Sequence, residues 1–169
     1  MIESYTPQTA IDYIKNTSFM FSLCATVNEK KRINDLLLTD KDNIKPFSKF
    51  FKDVRSIDPD CERETIEREY IYITQSALTA ERWADYIRDG GDRYYIQLRI
   101  GDLEHLKPLH DITLPIDAPF WCEFLPPNDW YDNSTFVQVR KSKYTVSDSK
   151  EAYKLASQLV APNFRKTSK

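Results

Sequence analysis

The sequence predicts a single α+β domain with a central mixed or antiparallel sheet and flanking helices. Apolar residues at helical spacing dominate the first third of the chain, and strand-like alternation appears in the second half. This order differs from the regular exchange of strand and helix that parallel sheets require. With 169 residues the chain can bury a sizeable core, and we expect the domain to span residues 1–163, followed by a flexible tail at 164–169.

Helices and one strand are expected in the first third. Thr6 and Asn28 can each cap a helix, because apolar residues at helical spacing follow them, and Asp42 and Asn43 precede a third helical pattern. Between the first two helices, the apolar run at 18–26 indicates a buried strand.

The middle of the chain is expected to alternate between helix and strand. Residues 56–69 are polar and acidic, which predicts a connector that is helical only in part. A short strand is predicted at 70–74 and a helix from Thr79, which Gly90 and Gly91 would end.

The second half carries the clearest strand signals. Residues 93–100 alternate between apolar and polar side chains, as a half-buried strand does, and 134–140 form a second strand. The proline-rich segment 106–132 predicts short extended pieces and loops. Ser147 can cap a last helix, which Pro162 would stop.

Composition excludes several classes of function. The net charge of −2 and the pI of about 5.7 argue against a dedicated nucleic-acid binder. The basic runs at 140–143 and 165–169 either contact an acidic partner or are solvated ends. Only three glycines occur, and no glycine-rich phosphate-binding motif is present.

Cysteine usage and hydropathy indicate a soluble protein of a reducing compartment, the cytoplasm. The three cysteines are an odd number at wide spacing, and no CxxC pair exists, so neither a disulfide framework nor a structural zinc site is expected. The sequence shows no signal peptide and no membrane span, and we expect neither a metal nor a membrane partner.

Three further residues are of types that can carry other chemistry. His105 and His110 lie near several carboxylates, but their spacing matches no standard metal site, which favours surface loops. Cys24 is either a nucleophile or, as its apolar surroundings favour, a small buried side chain.

A longer pattern links segments in the middle of the chain. The motif Tyr-Ile-Tyr-Ile-Thr at 70–74 precedes a helix, the strand 93–100 follows, and Cys-Glu-Phe-Leu-Pro-Pro at 122–127 leads into the strand 134–140. This order resembles the ADP-ribosyltransferase family over roughly half of the chain. The family's strand of the type Y-x-T/S-x-S precedes a helix, and its glutamate precedes a late strand. The resemblance implies an NAD-dependent mono-ADP-ribosyltransferase that modifies a protein or nucleic-acid target.

The resemblance also implies catalytic roles. Glu123 would stabilise the oxocarbenium-like transition state that forms when the nicotinamide–ribose bond breaks. Thr74 and Ser76 would hydrogen-bond the ribose or the glutamate. In the alternative interpretation, Glu123 is an ordinary loop carboxylate.

The resemblance also places NAD beside further residues. Tyr70 or Tyr72 would stack on nicotinamide, and Cys24 or Thr26 would lie near the far end of the cleft. Arg99, or in its place Arg93 or Arg140, would meet the pyrophosphate. The family has a polar residue where this chain has Cys24, so the chain departs from the pattern there.

The alternative function is partner docking without catalysis. The segment 119–131 places several aromatic residues in a proline-rich stretch, and such residues form the energetic centres of protein interfaces. Trp121, Trp130 and Tyr131 are the predicted partner-binding residues. An immunity protein, a phage-type inhibitor or an effector would use such a loop on a macromolecular target, in most cases a protein. The same rings could instead close the core.

Overall fold

The computed structural model describes residues 9–17, 19, 21–89 and 91–166, and the chain divides into two units at 1–84 and 85–169. Each unit is described by itself. The α+β class is confirmed, since helices fill the first unit and a three-stranded sheet lies in the second. The prediction of one domain over 1–163 stays a prediction.

Four helices account for most of the described first unit. They are α1 (Ala10–Asn16), α2 (Val27–Leu36), α3 (Phe47–Ile57) and α4 (Arg63–Arg88), and α4 crosses the boundary between the units. The core contains Ile14, Phe21, Ile33, Phe50 and Ile73, all nearly inaccessible to solvent. Aromatic rings pack against one another in this core; the Phe21 and Phe50 rings, for instance, are tilted with centres 5.4 Å apart.

The caps of these helices differ from the predicted ones. Thr6 lies outside the described residues, and Thr9 caps α1 by accepting a hydrogen bond from the Asp12 backbone N–H. For α2 the cap is Thr26, and Asn28 lies inside the helix, so the prediction of Asn28 was wrong. The reason is a capping box, in which Thr26 and Glu29 each satisfy the other's backbone N–H.

Two predicted strands were wrong. Residues 18 and 20 lie outside the described residues, and 21–26 form a turn and irregular backbone that is tied to α4 by a hydrogen bond from Ser22 N to Glu69 Oε1. Residues 70–74 lie inside α4, as do the predicted helix from Thr79 and the last residues of the predicted connector. Ile66, Ile73, Ala77 and Ala84 are buried at helical spacing, so burial of one helix face outweighs the strand preference of Tyr70–Thr74.

The sheet of the second unit is antiparallel throughout. Its strands are β1 (Tyr94–Arg99), β2 (Thr113–Leu114) and β3 (Thr135–Arg140), in the order β2-β1-β3. The two longer strands confirm the predictions at 93–100 and 134–140. They pair from Tyr94 with Arg140 to Arg99 with Thr135, which buries Ile96, Leu98 and Phe136.

Helices also occur in the proline-rich segment, which was predicted to lack them. A 3-10 helix spans Glu104–Leu109, and α5 spans Pro119–Phe124 with the proline at its first position, where no N–H is needed. The last helix, α6 (Ser149–Leu159), is capped by Asp148 and not by Ser147, whose hydroxyl accepts a hydrogen bond from Thr113 N. Across the described part of the chain, every helix is too short or too polar to cross a membrane.

Candidate functional site

The segment 126–134, called the aromatic loop here, connects α5 to β3 and is organised by a buried carboxylate. Asp132 is only 2% exposed. Its Oδ2 accepts a hydrogen bond from Asn128 N at 2.7 Å, and its Oδ1 accepts one from Ser134 N at 2.9 Å. A single side chain therefore holds both sides of the loop and satisfies two buried backbone donors.

Further hydrogen bonds fix the aromatic loop to its surroundings. Asn128 is almost fully buried and donates from Nδ2 to Phe124 O at 2.8 Å. Asn133 accepts from Asp102 N and donates to the Asp102 carboxylate, both at 2.9 Å. Ser134 Oγ accepts from Gly101 N at 3.0 Å. The loop is thus bonded both to the end of α5 and to the turn after β1.

This close contact with the turn explains why residue 101 is a glycine. A Cβ atom there would lie 1.7 Å from Asn133 Oδ1 and 3.0 Å from the Asn133 backbone carbon. We expect Gly101→Ala to lower the free energy of unfolding by about 1–3 kcal/mol, since the loop must shift and lose its bonds to Asp102. Chemical denaturation measures this loss. Because Asn133→Ala removes the nearest atom, Gly101→Ala should cost less in that background, and equal costs in both backgrounds would contradict the contact.

The C-terminal segment covers one side of the aromatic loop. Trp130 packs edge-on against buried Phe164 with ring centres 5.2 Å apart. The Lys166 ammonium donates to Pro127 O and, at 3.1 Å, to Asn128 Oδ1. Burial of this ammonium lowers the pKa of Lys166 to about 7, while the charge of Asp132 opposes the shift. Phe164 and Lys166 therefore both contact the aromatic loop.

Tyr131 stands out within this ordered loop. Its backbone φ of 58° lies in the left-handed region, which is costly for a bulky residue, and its side chain is 45% exposed. Its hydroxyl makes no hydrogen bond with any described residue. The surrounding bonds hold an exposed ring at a strained backbone position.

The three predicted partner-binding residues have different environments. Trp121 is 2% exposed and donates its ring N–H to Pro115 O at 2.9 Å, so it is a core residue and cannot serve as an exposed anchor. Trp130 is half-buried against Phe164, and only Tyr131 is well exposed.

The predicted catalytic glutamate lies on α5 in the second unit. Glu123 Oε1 accepts a hydrogen bond from the Tyr153 hydroxyl at 2.5 Å, and this bond raises the pKa of Tyr153. Arg99, the predicted pyrophosphate ligand, forms an ion pair with Asp111 at 3.2 Å.

The other residues of the NAD hypothesis lie in the first unit, where their polar atoms are used locally. Thr74 Oγ1 donates to Tyr70 O and Ser76 Oγ donates to Tyr72 O, both at 2.8 Å within α4. The Tyr70 hydroxyl donates to Lys45 O at 2.6 Å. Burial raises the pKa of Tyr72 to about 12.

Cys24 has the properties of a core residue. It is 7% exposed, and burial, followed by the charges of Glu29 and Glu69, raises the pKa of its thiol to about 11. Cys122 is exposed. Because the thiolate is the nucleophile, Cys24 is unsuited to covalent catalysis at neutral pH.

The buried Cys24 thiol and the exposed Cys122 thiol should react with alkylating reagents at different rates. With iodoacetamide at a pH near 8, about one in a thousand Cys24 thiols is ionised, so we expect Cys122 to be modified first. Mass spectrometry of the wild type should locate the early adduct at Cys122. Cys122→Ser should remove it and Cys24→Ser should leave it, whereas an early adduct at Cys24 would contradict the raised pKa.

The two histidines occupy separate surface positions, as the sequence favoured. His110 Nδ1 accepts from Ile100 N at 3.0 Å, and its Nε2 lies 3.3 Å from Asp111. His105 Nε2 lies 2.9 Å from Asp129 of the aromatic loop. Within the described ranges, no three His, Cys, Asp or Glu side chains come together to hold a metal ion.

Comparisons with known proteins add no assignment. Neither a family model, nor a curated protein, nor a solved structure matches this chain. The candidate site therefore depends on its own geometry. Sequence reasoning singled out Trp130 and Tyr131 but missed Asp132, although the Asn- and Asp-rich composition of 128–133 is typical of turns held by side chains.

Proposed function

We propose that this protein acts by docking on a partner protein through the aromatic loop, with Tyr131 as the anchor. One observation carries the proposal: Tyr131 is exposed and has a backbone φ of 58°, in a loop whose residues 128 and 134 are held by the Asp132 side chain. Strained residues persist only where the surrounding structure holds them, and they concentrate at functional sites.

The order of the loop favours binding energetically. A flexible loop loses conformational entropy when it binds, and each side chain that becomes immobile costs affinity. Here the bonds to Phe124, Asp102 and Gly101 have already fixed the backbone. Tyrosine has few rotatable bonds and offers both an apolar face and a hydroxyl, so it binds at a low entropic cost.

The surroundings of Tyr131 resemble the layout of a protein interface. Half-buried Trp130 lies next to it in the sequence, and the polar side chains of Asp129 and Asn133 flank both. Aromatic centres with polar rims are typical of protein–protein contacts. Immunity proteins, inhibitors and effectors act through such contacts.

The test compares two exposed tyrosines of the second unit, since Tyr144 is 42% exposed on another loop. A photo-crosslinking amino acid is placed at position 131 or 144 in cells that contain the partner, and crosslinked proteins are identified. We expect one defined protein from position 131 only. The purified partner should then bind Tyr131→Ala at least about tenfold more weakly than Tyr144→Ala and the wild type. Equal binding by both variants, or no crosslink from position 131, would contradict the proposal.

The ADP-ribosyltransferase hypothesis, with NAD as cofactor, stays a prediction. Its test is nicotinamide release from NAD by the wild type and by Glu123→Gln, which keeps the shape of the side chain and removes its charge. Release that Glu123→Gln abolishes would favour the transferase over docking, and the absence of release would leave docking as the proposed function.

A further inference from the structure

Four cations gather at the end of the sheet that lies farthest from the aromatic loop. Arg93, Arg140, Lys141 and Lys143, together called the basic end, are all exposed. The backbone brings them together: Lys141 N donates to Arg93 O at 3.0 Å, and Lys143 N donates to Arg140 O at 2.9 Å. The turn after β3 thus places its lysines beside the start of β1.

No ion pair neutralises these cations among the described residues, and this includes the exposed Asp92 beside Arg93. Arg93 and Lys141 continue the β1–β3 register as directly opposed residues, and like charges in such pairs destabilise a sheet. Arg140, which is opposite Tyr94, projects from the other face of the sheet. An anionic ligand would therefore relieve the repulsion between Arg93 and Lys141.

Aromatic rings lie among these cations. Tyr94 and Tyr95 are half-buried at the start of β1, and the Lys141 ammonium lies 5.2 Å from the centre of the Tyr95 ring. Tyr144, in the same turn as Lys143, is 42% exposed, and its hydroxyl makes no hydrogen bond within the described chain. The basic end therefore combines four positive charges with an open ring face.

We propose that the basic end binds single-stranded nucleic acid. Proteins that bind single strands combine cations along the phosphate backbone with aromatic rings on which the bases stack, and both are present here. An acidic peptide would use the cations and leave Tyr144 without a role. The net charge of −2 belongs to the whole chain, whereas binding responds to the field near the ligand. This inference goes beyond the docking function and does not rest on it.

The first test measures the affinity for a labelled single strand by fluorescence anisotropy at several salt concentrations. With four phosphate contacts on an oligonucleotide of about fifteen nucleotides, the logarithm of the association constant should fall against the logarithm of salt concentration with a slope of about −3. Lys141→Glu with Lys143→Glu should weaken binding at least about tenfold. The control is Lys150→Glu with Lys154→Glu, which changes the net charge equally at two exposed lysines of α6.

Separate variants test stacking and the class of ligand. Tyr144→Ala should weaken binding about fivefold or more, and Tyr144→Phe should retain the wild-type affinity. Circular dichroism of each variant checks the fold. The inference is overturned if the two lysine pairs weaken binding equally, if the wild type does not bind at low salt, or if polyglutamate or anionic vesicles compete as well as the oligonucleotide does.

Discussion

Asp132→Ala should lower the free energy of unfolding by about 3–5 kcal/mol, one of the largest effects expected for this chain. The substitution leaves the backbone N–H groups of Asn128 and Ser134 buried without their charged acceptor. Each lost charge-assisted bond costs about 1.5–3 kcal/mol. We also expect the Asn128 and Ser134 amides to exchange with solvent far faster, because the loop opens locally.

Two further variants separate this effect from the loss of a negative charge. Asp117 is exposed in the same unit, so Asp117→Ala should change stability by less than about 0.5 kcal/mol. Asp132→Asn keeps the size of the side chain but places an amide NH₂ group against one of the two backbone donors. Its free energy of unfolding should therefore lie between those of Asp132→Ala and Asp117→Ala. Urea denaturation provides the measurement. If Asp132→Ala were as stable as Asp117→Ala, Asp132 would not organise the loop.

Trp121→Ala should lower the free energy of unfolding by about 3–5 kcal/mol, because it removes a buried indole and leaves a cavity. The ring packs edge-on against Phe120 at 4.9 Å, and its N–H donates to Pro115 O. The loss therefore combines apolar burial with a buried hydrogen bond. Thermal and denaturant unfolding of the full chain measure it.

The matched comparison is Trp130→Ala, which removes the same side chain from a half-buried position. It should destabilise the fold clearly less than Trp121→Ala and should weaken partner binding, because Trp130 flanks Tyr131. Equal losses of stability in both variants would contradict the different environments of the two tryptophans.

Sequence reasoning predicted the two longer strands and most of the helices, but it also placed strands at 18–26 and 70–74 where the described residues have none. The alternation in 93–100 predicted β1, although its burial does not alternate: Ile96, Gln97 and Leu98 are all buried, and the Gln97 side chain bonds Thr113. In α4, Tyr70–Thr74 has the composition of a strand, and its helical period becomes visible only across Ile66, Ile73, Ala77 and Ala84. A stretch as short as 70–74 shows only its strand-like composition, whereas the helical spacing appears only over the length of α4.

For the candidate site, sequence reasoning singled out the ring that is exposed and missed the carboxylate that supports it. A proline-rich stretch with aromatic residues indicated Trp130 and Tyr131, but Trp121 belongs to a short helix whose residues Phe120 and Phe124 are also buried. The composition of 128–133 indicates a turn held by side chains, but it does not indicate that Asp132 is the one, because carboxylates are rarely buried and its two donors depend on the folded path of the loop.

Side chains at 128, 129, 132, 133 and 134 make the bonds that shape the aromatic loop, and none comes from the Tyr131 side chain. The hydrogen bonds that shape the loop therefore do not depend on the side chain at position 131. Residues that adopt the left-handed backbone conformation easily, such as Asn or Gly, should fit position 131 and leave these hydrogen bonds intact. If Tyr131 is the docking anchor, as proposed, variants at position 131 should change which partner is bound without changing the loop.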